Sequence, residues 1–150
     1  MTAVELGADR LEIRQLRPGD DQLVVDAEAL FDKPSIPAAT AAFLAASDHH
    51  LLVAYLGGEP AGFVTGVETI HPDKGTEMFL YELSVGEAHR GRGVGTALVA
   101  ELAALARRRG CYGMWVLTAP DNAAAIATYR RAGATSTPET IMLEWNLAGA

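Results

Sequence analysis

Three glycines interleaved with two arginines, "RGRGVG" (90–95), follow a run that reads as a strand and open one that reads as a helix. A helix interior loses roughly 0.8–1 kcal/mol per glycine relative to alanine, so Gly91, Gly93 and Gly95 need a compensating use. The first turn of a helix offers unpaired backbone N–H groups and a partial positive charge. Glycine lets an anion approach those groups closely, and Arg90 and Arg92 add charge beside them. The spacing predicts an anion site at 90–96; the plainer reading is a flexible loop. A Walker loop needs a lysine after its last glycine, and Thr96 stands there instead. A GxGxxG dinucleotide fingerprint started at Gly91 or Gly93 lacks its last glycine.

Glu82 is the second chemical signal. It interrupts "TEMFLYELSV" (76–85), a nearly continuous apolar run expected to form a central strand buried on both faces. An ionised carboxylate there is costly unless it has a use or a partner. Burial would raise its pKa toward the range useful to a general base. The competing reading is a structural glutamate paired with an arginine. Residues 48–87 also carry Asp48, Glu59, Glu68, Asp73, Glu77 and Glu87, opposed only by Lys74. Such a surface would concentrate a polycation, with Asp32, Glu68, Asp73, Glu77 and Glu82 as expected contacts; acids that are merely solvated are the alternative.

The remaining reactive types carry less. His49 and His50 would face opposite sides of a strand, while His71 and His89 fall in turns. All four are expected at surface or edge positions, and no spacing matches a zinc site. Cys111, the single cysteine, begins a strand and reads as a small buried apolar residue.

The elements that must position these groups follow from the pattern. "LEIRQL" (11–16) reads as a first strand, followed by a helix after Pro18 through about Phe31 and a short helix over 38–47. Gly57-Gly58 lies between two apolar runs of a hairpin over 49–70. From Val94 the apolar spacing changes to 3.6, with Leu98, Leu102 and Leu105 on one stripe; Arg107, Arg108 and Arg109 end the helix and Gly110 caps it. A strand over 112–118, a helix N-capped by Asp121 and a last strand over 140–147 complete a mixed α/β order.

The 150 residues are 49% hydrophobic and 21% charged, as in one soluble domain spanning 1–150. No apolar run approaches about 18 residues, so no membrane insertion is expected, and a lone cysteine suits a reducing, cytoplasmic setting. The net charge of −7 makes nucleic acid an awkward partner. Residues 1–89 hold 15 acids against 5 Lys or Arg, and residues 90–150 hold 4 against 7. The asymmetry fits either solvated surface or two ligands of opposite sign.

"RGRGVGTAL" (90–98) matches the R/Q-x-x-G-x-G/A signature of the GNAT superfamily of N-acetyltransferases, between strand and helix as that family requires. "DNAAAIATYRRAGA" (121–134) is similar to the family's later series, here Asn122, Ala125, Tyr129 and Gly133. The resemblance implies the GNAT fold: a mixed, mostly antiparallel sheet with a splayed central strand pair and about four flanking helices. Within the family, the chain most resembles the aminoglycoside 3-N-acetyltransferases of the gentamicin-modifying type, through "TEMFLYELSVGEAHRGRGVGTALVAEL" and "LFDKP" (30–34). Members of that group often have Asp where this chain has Glu82 in Y-E-L.

The resemblance also implies roles. Arg90, Gly91, Arg92, Gly93, Val94, Gly95 and Thr96 would hold the pyrophosphate of acetyl-CoA, and Leu83, Ser84 and Val85 would lend backbone groups to its pantetheine arm. Asn122, Ala125 and Tyr129 would complete that cofactor surface. Glu82 would take a proton from the amine, and Tyr129, which by spacing alone reads as core beside Ile126, would protonate the leaving thiolate. Transfer would be direct, in a ternary complex with a cationic amine and without a metal, and a homodimer is common among members. Other acceptors (a peptide N-terminus, a polyamine, a small metabolite) stay open, as does a non-catalytic acyl-CoA-binding module, against which the presence of Glu82 and Tyr129 argues.

Overall fold

The structure is a computed structural model that describes residues 2–6, 9–135 and 138–148. Its sheet runs β1 (Thr2–Leu6), β2 (Asp9–Gln15), β3 (His49–Leu56), β4 (Glu59–His71), β5 (Gly75–Val85) and β6 (Met114–Trp115), in that spatial order. Every neighbouring pair is antiparallel except β5 and β6, which are parallel. Helices α1 (Asp21–Asp26) and α2 (Pro37–Ala45) follow β2, α3 (Val94–Arg108) follows β5, and α4 (Ala123–Arg131) follows β6.

Strand alternation divides the core in two. Leu52, Ala54 and Leu56 of β3 join Leu11, Val64, Met78 and Leu80 under the Val94–Leu98–Leu102–Leu105 stripe of α3. Leu51, Val53 and Phe63 point the other way, onto Val24, Ala27 and Leu44 of the α1–α2 layer. The helix sits close because β4 is notched: a Cβ at Gly66 would lie 2.8 Å from Leu102 Cδ1, and one at Gly62 only 2.7 Å from the Ser84 carbonyl oxygen.

Several sequence expectations need correction. A strand, β1, precedes the expected first one. The expected helix to Phe31 stops at Asp26, and a single 3₁₀ turn, Glu28–Leu30, follows. Tertiary contacts break it: Ser35 donates to the Glu28 carboxylate, Ser84 Oγ donates to the Leu30 carbonyl at 2.8 Å, and Phe31 stacks on Phe63 at 3.9 Å. β5 is central but not buried on both faces. Only Met78 and Leu80 are fully enclosed, and Tyr81 is 64% exposed. The strand expected over 112–118 shrinks to two residues. Residues 140–147 take no regular structure despite their alternating Ile141, Leu143, Trp145 and Leu147, all exposed. A strand needs a partner for its backbone groups, and β6 is too short to offer an edge.

Candidate active site

The strand carrying Glu82 is bent by a bulge. Thr65 pairs with Glu82 and Gly66 with Leu80, leaving Tyr81 as the extra residue. The bulge switches the phase of the strand: Met78 and Leu80 face α3 before it, Leu83 and Val85 after it. Glu82 and Ser84 therefore point to the α1–α2 side. The buried Thr65 hydroxyl accepts the Glu82 backbone N–H at 3.1 Å and fixes the turn of the chain.

Glu82 is half-buried, and no cation pairs with its carboxylate among the described residues. Loss of solvent raises its pKa, and the Asp32 charge raises it further. The structural reading, a glutamate held by an arginine, is thus not what the fold builds. Asp32, in the exposed loop after the 3₁₀ turn, is the expected acceptor contact brought near Glu82.

The other acids go elsewhere. Glu68 is enclosed beyond the far end of α3, where Arg109 Nε donates to Oε2 at 2.8 Å and His50 Nε2 lies 2.6 Å from the same oxygen. His50 is itself 4% exposed, contrary to the surface or edge position expected for it. Asp73 and Lys74 pair in the exposed β4–β5 turn, and Glu77 lies 2.7 Å from His71 Nε2 nearby. Residue type and sequence distance gave no sign that Glu68 serves as an anchor for a buried histidine.

On the other side of β5 the strands part. Its ladder with β6 consists of Met78–Met114 and Phe79–Trp115, so among the described residues no strand pairs with that edge of β5 from Leu80 onward. Leu83 and Val85 pack on the α3 core from there. Arg90 Nε donates to the Val85 carbonyl at 3.1 Å, tying the loop to the strand end.

The glycines of the loop separate into two kinds. Gly91 and Gly93 have φ of +76° and +81°, a left-handed conformation that costs other residues about 1–2 kcal/mol, and a Cβ at either would meet nothing within 4 Å. Gly93 is the N-cap of α3 and supplies no side-chain cap to the first-turn N–H groups at Val94, Gly95 and Thr96. Gly95 answers to packing: its Cβ would stand 3.3 Å from Thr128 of α4 and 3.4 Å from Val85. Arg92 reaches across the loop to Asp9 at 3.2 Å. The helix start is uncapped and lined by glycine, with Arg90 and Arg92 beside it, each also bonded within the fold.

On α4, Asn122 rather than Asp121 is the N-cap; its Oδ1 accepts the Ala125 N–H at 3.1 Å. Tyr129 packs half-buried against the α3 core, and burial raises its pKa, so the hydroxyl stays protonated at neutral pH. Burial likewise pushes the Cys111 thiol up, away from nucleophilic use. Two features escaped the sequence reading. His89, half-buried just before the loop, has a buried Nδ1 with no hydrogen-bond partner. Phe79 and Trp115 stack at 4.2 Å where β5 and β6 part.

An uncapped helix start beside two parting parallel strands places the chain among α/β proteins. The model of the acetyltransferase (GNAT) family matches residues 13–134, and the chain belongs to that family. It is 36% identical over 124 residues to the N-alpha-acetyltransferase RimI of Mycobacterium tuberculosis, covering 81% of this chain and 76% of that protein. It is 33% identical over 94 residues to an L-2,4-diaminobutyric acid acetyltransferase of Nocardia farcinica, a match covering 60% of this chain and about half (48%) of that relative. Among solved structures, an aminoglycoside acetyltransferase from an uncultured soil metagenomic sample, in complex with sisomicin, superposes with a TM-score of 0.84 at 16% identity over 91% of this chain and 96% of that one. The aminoglycoside N-acetyltransferase AAC(6')-Iy in complex with CoA gives 0.75 at 20% identity, over 95% and 99%. At these identities the superpositions establish the GNAT fold, as the resemblance implied.

Proposed function

We propose that this chain is an acetyl-CoA-dependent N-acetyltransferase whose acceptor is a cationic aminoglycoside amine, with the 3-N position as the first to test. The observation that carries the catalytic reading is Glu82: a bulge-directed carboxylate with raised pKa and no ionic partner among the described residues, on the strand that borders the anion cradle.

Three features support a diphosphate at the start of α3. Gly91 and Gly93 leave their loop free of side chains, the first turn of α3 is uncapped, and Arg90 and Arg92 flank it. Leu83, Ser84 and Val85, on the unpaired edge of β5, would hold the pantetheine arm, with Ala125 and Tyr129 on the α4 side. Acetyl-CoA, when bound, supplies the thioester. Glu82 accepts a proton from the acceptor ammonium and frees the nitrogen lone pair for attack. A C–N bond would replace the C–S bond at the thioester carbonyl, with Tyr129 donating its proton to the departing sulfur and taking up the surplus proton left on the new amide nitrogen. The backbone N–H near Val85 would steady the oxyanion. Asp32 holds the acceptor's positive charge near Glu82.

The test is thiol release with gentamicin, L-2,4-diaminobutyrate, spermine and a short peptide, with mass spectrometry of the products. Acetylation of gentamicin at the 3-amine is the expected result. Release with another amine alone would keep the chemistry and replace the acceptor; coenzyme A binding without release from any amine would leave a non-catalytic module.

A further inference from the structure

The stacked rings of Phe79 and Trp115 form the last pair of the β5–β6 ladder, at 4.2 Å and an interplanar angle of 23°. The bulged Tyr81 meets the edge of Phe79 at 5.4 Å and 76°. Trp115 is 42% and Tyr81 64% exposed, so the cluster is a shelf rather than a core.

Its place in the sheet gives it a meaning. Met78 and Leu80 face α3, so Phe79 between them faces the α1–α2 side. Glu82 faces that side as well, three residues along, or about 10 Å of strand. In the other direction Glu77 shares the face. Of these two carboxylates Glu77 is already engaged with His71 at 2.7 Å, so Glu82, with Asp32 adding charge beside it, is the one that faces an acceptor on the shelf.

We propose that this shelf is the subsite for the non-reacting body of the acceptor, and that it selects amines carried on a saturated ring, as in an amino sugar. The inference rests on the acetyltransferase reading above and names the residues that select its acceptor. An amino sugar ring has an apolar C–H face and ammonium groups around its edge. Phe79 covers one face of Trp115, so the sugar's C–H face stacks on the outward face of Trp115 and on the exposed Tyr81 ring, while the ammoniums meet these ring quadrupoles and the Glu82 carboxylate. A linear diamine or amino acid satisfies the carboxylates but leaves the aromatic faces bare. Glu82 thus acts on whichever amine the stacked ring presents to it.

Trp115→Leu and Tyr81→Ser test this separately, the second without touching a buried side chain. Each is expected to raise KM for gentamicin about fivefold to tenfold with kcat changed less than twofold, and to shift KM for L-2,4-diaminobutyrate by under twofold. Equal shifts for both acceptors, or none for gentamicin, overturn the proposal while the transferase reading stands. In Trp145→Phe protein, Trp115 is the only tryptophan, and gentamicin should change its emission saturably. If no amine releases thiol, the transferase reading fails; the shelf then stands or falls on this titration, and unchanged emission overturns it.

Discussion

The two ends of α3 carry similar residues and are built for opposite purposes. At the start stand Arg90 and Arg92 among glycines; at the finish stand Arg107, Arg108 and Arg109 before Gly110. The start is uncapped, with open space where Gly91 and Gly93 would carry side chains. About 22 Å away, by the rise of a 15-residue helix, the finish is closed. Arg109 donates to Glu68 and to the Ser47 carbonyl, and the same Glu68 oxygen holds the buried His50 ring. Gln15 Nε2 lies 3.3 Å from His50 Nδ1, on the other side of the ring from Glu68. One end leaves the first-turn N–H groups of α3 without a side-chain cap; the other uses its polar groups to join β3, β4 and α3. Arginine count alone does not distinguish the two ends, since Arg90 and Arg92 are also engaged, with the Val85 carbonyl and with Asp9; what differs is the uncapped backbone of the helix start.

The sharpest way to break the comparison is at Glu82 and Glu68, the two enclosed glutamates. Glu82→Gln should lower kcat by about 10²–10⁴-fold while calorimetry shows coenzyme A affinity within a factor of two. Undiminished turnover would remove the base. Tyr129→Phe should cost about 10²-fold in kcat, with the loss concentrated in the chemical step seen in single-turnover kinetics. Glu68→Ala should do the reverse: destabilise by about 2 kcal/mol in urea unfolding, with kcat per folded molecule unchanged. A Glu68 variant that loses kcat at normal stability would make the far end part of the site.

Gly93→Ala sharpens the other half. It places a Cβ at a φ of +81°, so a stability loss of about 1 kcal/mol should accompany weaker coenzyme A binding. Gly93→Val would show both effects more strongly and separate them less well.

The smallest effect is in pH. Because folding raises the Glu82 pKa, kcat/KM should fall on acidification through a pKa above the ordinary carboxylate value. The alkaline limb should lie above the ordinary tyrosine value, since burial raises Tyr129. Linkage carries the same sign. A carboxyl whose folded pKa is raised adds stability below its unfolded pKa, and that contribution is lost as pH rises through the folded value. Glu82→Gln should therefore unfold at slightly higher urea than wild type at pH 7, with the gap closing under acid.

The legible parts were those set by local periodicity and turn chemistry. The 3.6 stripe from Val94, the Gly57-Gly58 hairpin and the glycine loop are readable because each is fixed by residues close in sequence. Glu82 was legible as an anomaly: one carboxylate in an apolar strand. The bulge at Tyr81 left a faint trace, since the α3-facing residues 78, 80, 83 and 85 skip one position. That trace has meaning only once the α3 face is known. The acids were least legible, because solvated, paired and functional carboxylates look alike in one dimension.

The sequence by itself determined the family and singled out a glycine-rich helix start and one carboxylate in an apolar strand, because each is a local fact. Tertiary structure alone decided that Glu68 anchors while Asp32 approaches Glu82, and that strand 112–118 ends after two residues. It also decided that Phe79 and Trp115 meet beside the parted strands. The reason is geometric: which polar and aromatic groups share a sheet face depends on register and bulges, and those are set by packing between segments far apart in the chain.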